Sequence, residues 1–400
     1  MSGWNNNYGG NNGFGGGGGG SGFGGGMGGG NMPDTPITLP SGTDSISSLN
    51  FNPAQQDVLI ASTWCNKVMA WRIGGQIGNV QSKPLAQITH KGPVLCTAVA
   101  PNGIVLSGGA CGTAKMWTIG QQPKQIAAHD KPISCISFCT SRNLVATASW
   151  GKKLRLWDTR NNKPSYDVNL EGKAYSMDSR NSLIVVACSG RKIQIFDLRY
   201  LGQGRKPWQT KESSLKNQVC CRVHLWTSGH HGSNATGKRK ATLRIKLSLC
   251  VVRGVDVLKR QIISSSRAVE VVEVTEERKV YAVNAIEFHP KGTFATAGRD
   301  GQLVFWDKDS RQRLQKFDLP NETPISACAF NKNGNFFAYA VSYDWSKGFQ
   351  DAHKYPRNEI RLHPVKGHLI VFACVQMGVG ACDTLPLCDS EISPQTRRHR

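Results

Sequence analysis

The chain has 400 residues, with 44 glycines, 13 cysteines and a formal net charge of +22. This length suffices for one large core or for two to three ordinary ones. No run of roughly eighteen apolar residues occurs, which argues against a membrane span. The cysteines follow neither a disulfide framework nor a zinc-ligand spacing, so we predict a soluble intracellular protein with no bound metal and no cofactor.

The first segment, residues 1–40, is predicted to be a disordered glycine-rich arm. Seventeen of the first thirty residues are glycine, and only Asn, Ser, Met and a few aromatic residues interrupt them. This composition offers too little apolar surface to offset the entropy lost when a chain becomes ordered. The segment also lacks a basic stretch followed by a continuous apolar run, so it does not have the pattern of a signal peptide.

From residue 41 the chain repeats one pattern. The stretch ATASWGKKLRLWD (146–158) joins a small-residue run, a tight turn, an alternating segment and a final Trp-Asp. Related stretches end at Trp71, Trp117, Phe196 and Trp306, and each follows another alternating apolar segment. The markers at 71, 117, 157 and 196 are spaced by 46, 40 and 39 residues, a period typical of the four-stranded blades of a β-propeller.

The predicted fold is therefore all-β, a seven-bladed WD40 β-propeller spanning residues 41–365. Small-residue strands such as LVATAS (144–149) are expected near the central axis, and Trp157 and its equivalents are expected to fill the gaps between blades. The fifth blade is expected within residues 203–280, since the distance from Phe196 to Trp306 suits two repeats plus an insertion.

The candidate functional residues include two histidines and the aromatic residues of turns. His90 and His129 precede innermost-strand segments, and we expect them to bond to a strand Ser or Thr instead of binding a metal. The turn SYDWSKG (342–348) carries a tryptophan, and Trp64 and Trp150 occupy turns of the first and third repeats. Tryptophans in exposed turns often anchor partners. We therefore predict an aromatic collar at one end of the ring, with packing over the blade edge as the alternative.

Several motifs together resemble one family, the WD-repeat mRNA export factors of the nuclear pore (the Gle/RNA-export group). The resemblance covers residues 44–216 and 281–365, and SYDWSKG with FWDKD is its most specific pair. It implies a non-catalytic scaffold in mRNA export, located in the nucleus, at the nuclear pore of the nuclear envelope, and also in the cytoplasm. The motifs that carry it are SYDWSKG (342–348), YAVNAIEFHP (281–290), FWDKDSR (305–311) and SWGKKLRLWDTR (149–160).

The resemblance also implies two binding surfaces. Aromatic turn residues would hold the GLEBS motif, a short hairpin peptide of a GLFG-repeat nucleoporin, and a charged turn after Trp306 would receive RNA, messenger ribonucleoprotein or an acidic partner. A solvated turn is the alternative for the second surface, and lysines of the third repeat could extend it as a positive rim. The residues expected at the peptide are Trp64, Trp150, Tyr343, Asp344, Trp345 and Lys347, and those expected at RNA are Asp307, Lys308, Arg311, Arg313, Lys152 and Lys153.

An alternative function follows from Trp157-Asp158-Thr159-Arg160. This WDxR ending resembles propellers that dock on the adaptor of cullin-RING ubiquitin ligases, so Trp157, Asp158 and Arg160 would make the chain a substrate receptor. An enzyme is the third class. The sequence contains no GxSxG, HExxH or P-loop motif and no paired-carboxylate signature, so we expect no catalytic activity.

Two segments, 217–275 and 366–400, depart from the family pattern. Residues 201–260 hold thirteen Lys or Arg against Glu212 and Asp256, which is half of the net charge, so the basic excess is weak evidence for a nucleic-acid-binding face. We hypothesise that both segments derive from a shifted reading frame or a retained intron, which would leave blade five aberrant. Sequencing the transcript across both junctions tests this, because an uninterrupted frame would refute it.

Overall fold

The computed structural model confirms an all-β propeller architecture. It describes residues 34–76, 79–161, 163–190, 192–200, 209–212, 281–307, 312–320, 323–345, 348–355 and 358–365. Within these ranges, 24 strands form six four-stranded antiparallel sheets. No helix in these ranges is long and apolar enough to cross a membrane.

The first three sheets each use four consecutive strands. Sheet 1 contains β2 (Ile46–Phe51), β3 (Val58–Thr63), β4 (Lys67–Gln76) and β5 (Asn79–Thr89). Sheet 2 contains β6 (Val94–Val99), β7 (Val105–Gly109), β8 (Thr113–Trp117) and β9 (Lys124–Ala128). Sheet 3 contains β10 (Ile133–Cys139), β11 (Leu144–Ser149), β12 (Lys153–Trp157) and β13 (Pro164–Asn169).

The remaining sheets follow the same order, except that the last one recruits the first strand of the chain. Sheet 4 contains β14 (Ala174–Arg180), β15 (Leu183–Cys188), β16 (Lys192–Asp197) and β17 (Gln209–Glu212). Sheet 5 contains β18 (Val283–Phe288), β19 (Thr293–Gly298), β20 (Gln302–Asp307) and β21 (Arg313–Asp318). Sheet 6 contains β22 (Ile325–Phe330), β23 (Phe336–Val341), β24 (Glu359–Pro364) and β1 (Thr35–Ile37).

The first strand of each sheet, not the small-residue strand, lies nearest the axis. Residues of β2, β6, β10, β14, β18 and β22 line one central channel. LVATAS, which was expected near the axis, is β11, the second strand of sheet 3. All six of its residues are buried, because β10 and β12 flank it and neighbouring sheets pack against its faces. Its alanines permit this close packing.

The aromatic residue that ends the third strand packs against the preceding sheet, as predicted. Trp157 of sheet 3 lies in one apolar cluster with Cys96 and Leu106 of sheet 2. Trp117 of sheet 2 shares a cluster with Val58 of sheet 1. A buried aromatic side chain removes a large apolar area from water. Neighbouring sheets therefore stabilise one another through these positions.

Strand β1 corrects the predicted arm boundary at residue 40. Residues 35–37 pair antiparallel with β24 at the outer edge of sheet 6. Ile37 is 3% exposed and packs in the cluster that contains Trp71 of sheet 1. The N-terminal end of the propeller thus completes the last sheet. Residues 1–33, for which disorder was predicted, lie outside the described residues.

The count of seven blades stays a prediction. Within 203–280, where the fifth blade was expected, residues 209–212 form β17 of sheet 4, and residues 213–280 lie outside the described part of the chain. The divergent segments 217–275 and 366–400 lie outside it as well. The candidate functional site described below lies within these six sheets.

Candidate functional site

Each innermost strand starts with a β-bulge that turns one side chain toward the channel. The pairing register shifts at the same place in all six sheets, and bulges commonly re-aim a side chain in this way. Ser47 and Ser134 donate from Oγ to the carbonyls of Val94 and Ala174, at 2.6 and 2.8 Å. These bonds join sheet 1 to sheet 2 and sheet 3 to sheet 4. The bulged residues are Ser47, Leu95, Ser134, Tyr175, Asn284 and Ser326.

Trp64 and Trp150 occupy the same position in the turn between the second and third strands. In both cases the backbone N–H donates to the carbonyl of the residue before the innermost strand, Ser45 at 2.9 Å and Pro132 at 3.0 Å. Ser342 makes the equivalent bond in sheet 6. Trp345 is therefore not at the equivalent position. It reaches the same end of the channel through a longer turn.

Trp345 is held in an unusual conformation at the channel entrance. Its ring stacks on Trp64 with 5.2 Å between ring centroids and 27° between planes. Its backbone has φ +56°, a left-handed value that costs a bulky residue about 1–2 kcal/mol. Its Nε1 is buried, and no described residue accepts a hydrogen bond from it. Strain combined with an unpaired buried donor is typical of a functional position.

Tyr343 supports this turn from behind. It is 2% exposed, although the sequence predicted it at the partner. Its hydroxyl donates to the Gly348 carbonyl at 2.9 Å, and its ring stacks on Tyr355 at 5.3 Å. Asp344 accepts a bond from Asn284 Nδ2 at 3.2 Å. Lys347 lies outside the described residues.

We use the term aromatic mouth for Trp64, Trp150, Tyr175, Asp344 and Trp345. All five line a cavity of about 480 Å³. Trp150 is 38% and Tyr175 44% exposed. Sequence reasoning missed Tyr175, although aligning the repeats would have found it, because a bulky ring stands where the other sheets mostly have Ser or Asn. The structure thus brings together the three tryptophans of the predicted collar.

The charged turn after β20 differs from the prediction. Asp307 is 4% exposed, because β20 stays in register with Thr293 up to that residue. It therefore is not a surface group. Arg313 begins β21 and is exposed, whereas Lys308 and Arg311 lie outside the described residues. Trp306 belongs to the core, where its Nε1 donates to Thr296 Oγ1 at 2.9 Å.

The predicted positive rim is not continuous. Lys152 and Lys153 lie where the third strand of sheet 3 begins, whereas Asp307 ends the third strand of sheet 5 and Arg313 begins the fourth strand beside it. Third strands run in the same direction in every sheet of a propeller, so these groups lie at opposite ends of the ring. Lys153 pairs with Asp167 at 3.1 Å.

Arg160 pairs within its own turn. Its Nη2 lies 2.7 Å from Asp158 Oδ2, and this bond lowers the pKa of the Asp158 carboxyl. Sheet 4 has the same arrangement, with Arg199 paired to Asp197. The Asp-x-Arg sequence is therefore a repeated turn element, and the pairing explains its presence without a ligase adaptor. The buried Trp157 is part of the core.

His90 and His129 are hydrogen-bonded within their blades, as expected. His90 Nε2 lies 2.8 Å from Ser107 Oγ, and His129 Nε2 lies 2.8 Å from Thr147 Oγ1. Trp157 Nε1 donates to the same Thr147 hydroxyl at 2.8 Å. The hydrogen bonds among His129, Thr147 and Trp157 therefore form although Gly151 occupies the turn position where an Asp is usual. Among the described residues, no group of three or more His, Cys, Asp or Glu is arranged to hold a metal.

These histidines predict a loss of stability on acidification. Burial lowers the pKa of His90 and of His129 from 6.5 to about 4. Between these values the unfolded chain binds protons that the folded chain does not, so the free energy of unfolding falls as the pH falls. We expect about 2 kcal/mol per histidine between pH 7 and 5. Denaturant melts of wild type and of the double variant His90→Gln/His129→Gln measure this, and equal pH slopes would contradict it.

The chain matches known WD-repeat proteins. A family model described as "WD domain, G-beta repeat" matches residues 82–118, 120–158 and 275–307. Over 334 residues the chain is 36% identical to the protein named mRNA export factor GLE2 of Chaetomium thermophilum, covering 81% of this chain and 88% of that one.

Two further relatives carry similar names. The protein named Poly(A)+ RNA export protein of Schizosaccharomyces pombe is 36% identical over 332 residues, covering 80% of this chain and 88% of that protein. The protein named mRNA export factor of Xenopus tropicalis is 35% identical over 338 residues, covering 83% and 89% of the two chains. The similarity therefore extends over most of the propeller and is not confined to single repeats.

Proposed function

The chain belongs to the family of WD40-repeat mRNA export factors, and we propose that it is an adaptor that binds a nucleoporin peptide at the nuclear pore. Its role lies in mRNA export, and it is a non-enzymatic scaffold. The proposed peptide is the GLEBS motif of a GLFG-repeat nucleoporin. The proposed locations are the nucleus, the nuclear envelope and the cytoplasm.

The aromatic mouth is the observation that carries this proposal. Trp345 has a strained backbone, and its ring stacks on Trp64. Its buried indole N–H donates a hydrogen bond to no described residue. A buried donor without an acceptor costs about 1–3 kcal/mol, so this turn is held at a local cost in stability. Trp150 and Tyr175 supply exposed aromatic surface beside it. Rigid aromatic anchors of this kind dominate the affinity of peptide interfaces.

RNA or messenger ribonucleoprotein is proposed as a second partner, at the opposite end of the ring. The cation proposed for RNA phosphate there is Arg313; Lys308 and Arg311, which the sequence also predicted at RNA, lie outside the described residues. Asp307 is buried and is therefore not proposed as a direct contact of RNA. Phosphate contacts release counterions, so RNA affinity should fall steeply with added salt, whereas peptide binding at aromatic rings should change little. The two partners could then be bound at the same time.

The proposal is tested by calorimetric titration of the full chain with a synthetic GLEBS hairpin. We expect a dissociation constant of about 1 μM or lower, because several buried aromatic anchors contribute. Arg160→Ala is the matched control, since Arg160 lies in a turn at the other end of the third strand. Absence of binding at high micromolar peptide would refute the peptide function, and loss of binding in Arg160→Ala would move the site away from the mouth.

A further inference from the structure

Lysines surround the aromatic mouth on the side of sheets 2, 3 and 4. Three of them lie in the segments that precede the innermost strands, and the fourth lies in the turn after β11. The Trp150 N–H of this turn donates to the Pro132 carbonyl at 3.0 Å, so the turn and those segments share one end of the ring. The four exposed lysines are Lys91, Lys131, Lys152 and Lys173.

Few acidic residues oppose these lysines. The segments 90–93, 129–132, 150–152 and 171–173 contain two carboxylates, Asp130 and Glu171. Glu171 Oε2 lies 2.7 Å from Lys192 Nζ and is therefore already paired. A cluster of like charges at the rim of a cavity attracts ligands of the opposite sign. This side of the mouth therefore favours a polyanion.

Two exposed aromatic rings stand among the lysines. Trp150 is followed by Lys152 in its own turn, and Ser149 Oγ just before it donates to the Lys131 carbonyl at 3.1 Å. Tyr175 follows Lys173, whose carbonyl accepts the Ser189 N–H at 2.8 Å. Trp150 and Tyr175 both line the central cavity. Hydrogen bonds thus hold the chain segments so that rings and ammonium groups alternate along this side.

We propose that this side of the mouth binds single-stranded RNA, with bases stacked on Trp150 and Tyr175 and phosphates at the four lysines. Aromatic rings combined with a positively charged surface are how proteins hold single strands. Bases of a duplex are paired and stacked on each other, so a duplex offers no free base to these rings. An acidic peptide would use the lysines without requiring exposed rings beside them.

The inference rests on the proposed function for its partner, RNA, and adds a second surface for it. RNA bound here and the nucleoporin peptide would use the same two rings, Trp150 and Tyr175. Each partner therefore excludes the other at the mouth, whereas RNA at the opposite end of the ring does not compete with the peptide. Docking of the peptide would release a single strand that the mouth holds.

The test is the binding of a fluorescein-labelled uridine oligonucleotide of about ten residues, a usual site size, to the full chain by fluorescence anisotropy. The double variant Lys131→Gln/Lys173→Gln should make the slope of log affinity against log salt shallower by about 1.4, because each phosphate contact contributes about 0.7. Trp150→Ala should weaken binding about fivefold or more, because it removes a stacking platform. An unchanged slope in the first variant, or unchanged affinity in the second, would overturn the inference.

Lys83→Gln/Lys124→Gln is the matched control, because it removes the same charge at the other end of the ring. Both lysines are exposed; Lys83 pairs with Arg72 beyond Trp71, and Lys124 begins β9. This variant should keep the wild-type slope. An equal change in slope would show that only the net charge of the chain is felt, and the inference would be wrong.

The GLEBS hairpin separates the two occupants of the mouth. Saturating hairpin should displace the oligonucleotide from wild type. If Lys131→Gln/Lys173→Gln loses the hairpin and keeps the oligonucleotide, the lysines serve the peptide and the inference is overturned. If wild type binds the oligonucleotide and no mouth variant changes this, the inference alone is wrong. If wild type does not bind it at low salt, RNA binding in the proposed function is wrong as well.

Discussion

Deletion of residues 1–39 is expected to lower the melting temperature by about 10 °C or more relative to deletion of residues 1–32. The longer deletion removes β1, the outer strand of sheet 6. Loss of the buried Ile37 side chain alone is comparable to a large-to-small core substitution, which costs about 2–5 kcal/mol. The edge of β24 would also become available for pairing with other chains, so aggregation should increase.

Asp34 adds a polar contribution to the same effect. Its carboxylate accepts a hydrogen bond from the Tyr339 hydroxyl and lies 2.8 Å from His363 Nδ1. Tyr339 is 1% exposed, and burial together with Asp34 raises the pKa of its hydroxyl, which therefore stays a neutral donor. Without Asp34 this donor is buried without its partner, at a cost of about 1–3 kcal/mol. These losses are large against a typical total stability of about 5–15 kcal/mol.

The two deletions are compared by thermal melting and size-exclusion chromatography. The chain that begins at residue 33 is the control, because it keeps both Asp34 and β1. The melting temperature of the Ile37→Ala variant of the undeleted chain should lie between those of the two deletions. If the chain that begins at residue 40 melts at the same temperature as the control and stays monomeric, β1 does not stabilise sheet 6.

Replacement of Trp345 or Trp64 by alanine is expected to weaken GLEBS binding about 30-fold or more. Aromatic hot spots contribute about 2–4 kcal/mol at peptide interfaces, and each variant removes one half of the stacked pair. The rings contact each other, so the double variant should lose less than the sum of the two single losses. Calorimetric titration of the four proteins measures this coupling directly.

Tyr200→Ala is the matched control for these variants. Tyr200 is also an exposed aromatic residue, at 45%, but it follows the end of β16, on the side of the ring away from the mouth. Its replacement should leave the affinity unchanged. A loss below threefold in both tryptophan variants, or an equal loss in Tyr200→Ala, would mean that the peptide binds elsewhere.

The repeat made much of the fold predictable. The Trp or Phe that ends each repeat predicted the all-β propeller and the packing of Trp157 between sheets, because both follow from the periodicity of the sequence. The order of the strands from the axis could not be predicted from the repeat. The pattern shows which residues are buried, but it does not show how far from the axis their strand lies. Strand β1 was missed because it has only three residues and because its partners in β24 lie more than three hundred positions along the chain.

The site was predictable in part. Trp64 and Trp150 could be aligned from the turns that carry them, and the collar of three tryptophans follows from that alignment. The burial of Tyr343 and the φ of Trp345 depend on tertiary contacts with Tyr355 and Trp64, which no local pattern contains. Asp307 was placed at the surface because a charged residue after a strand usually is exposed. Here the strand extends through it.

Hydrogen exchange of the full chain with and without the GLEBS hairpin most directly tests whether the peptide docks at the aromatic mouth. The backbone amides of residues 62–66, 148–152 and 342–345 should exchange more slowly when the hairpin is present, whereas those of 158–161 and 312–315 should not change. Protection at the second set without the first, or no protection at the first set at saturating hairpin, would contradict docking at this end of the ring.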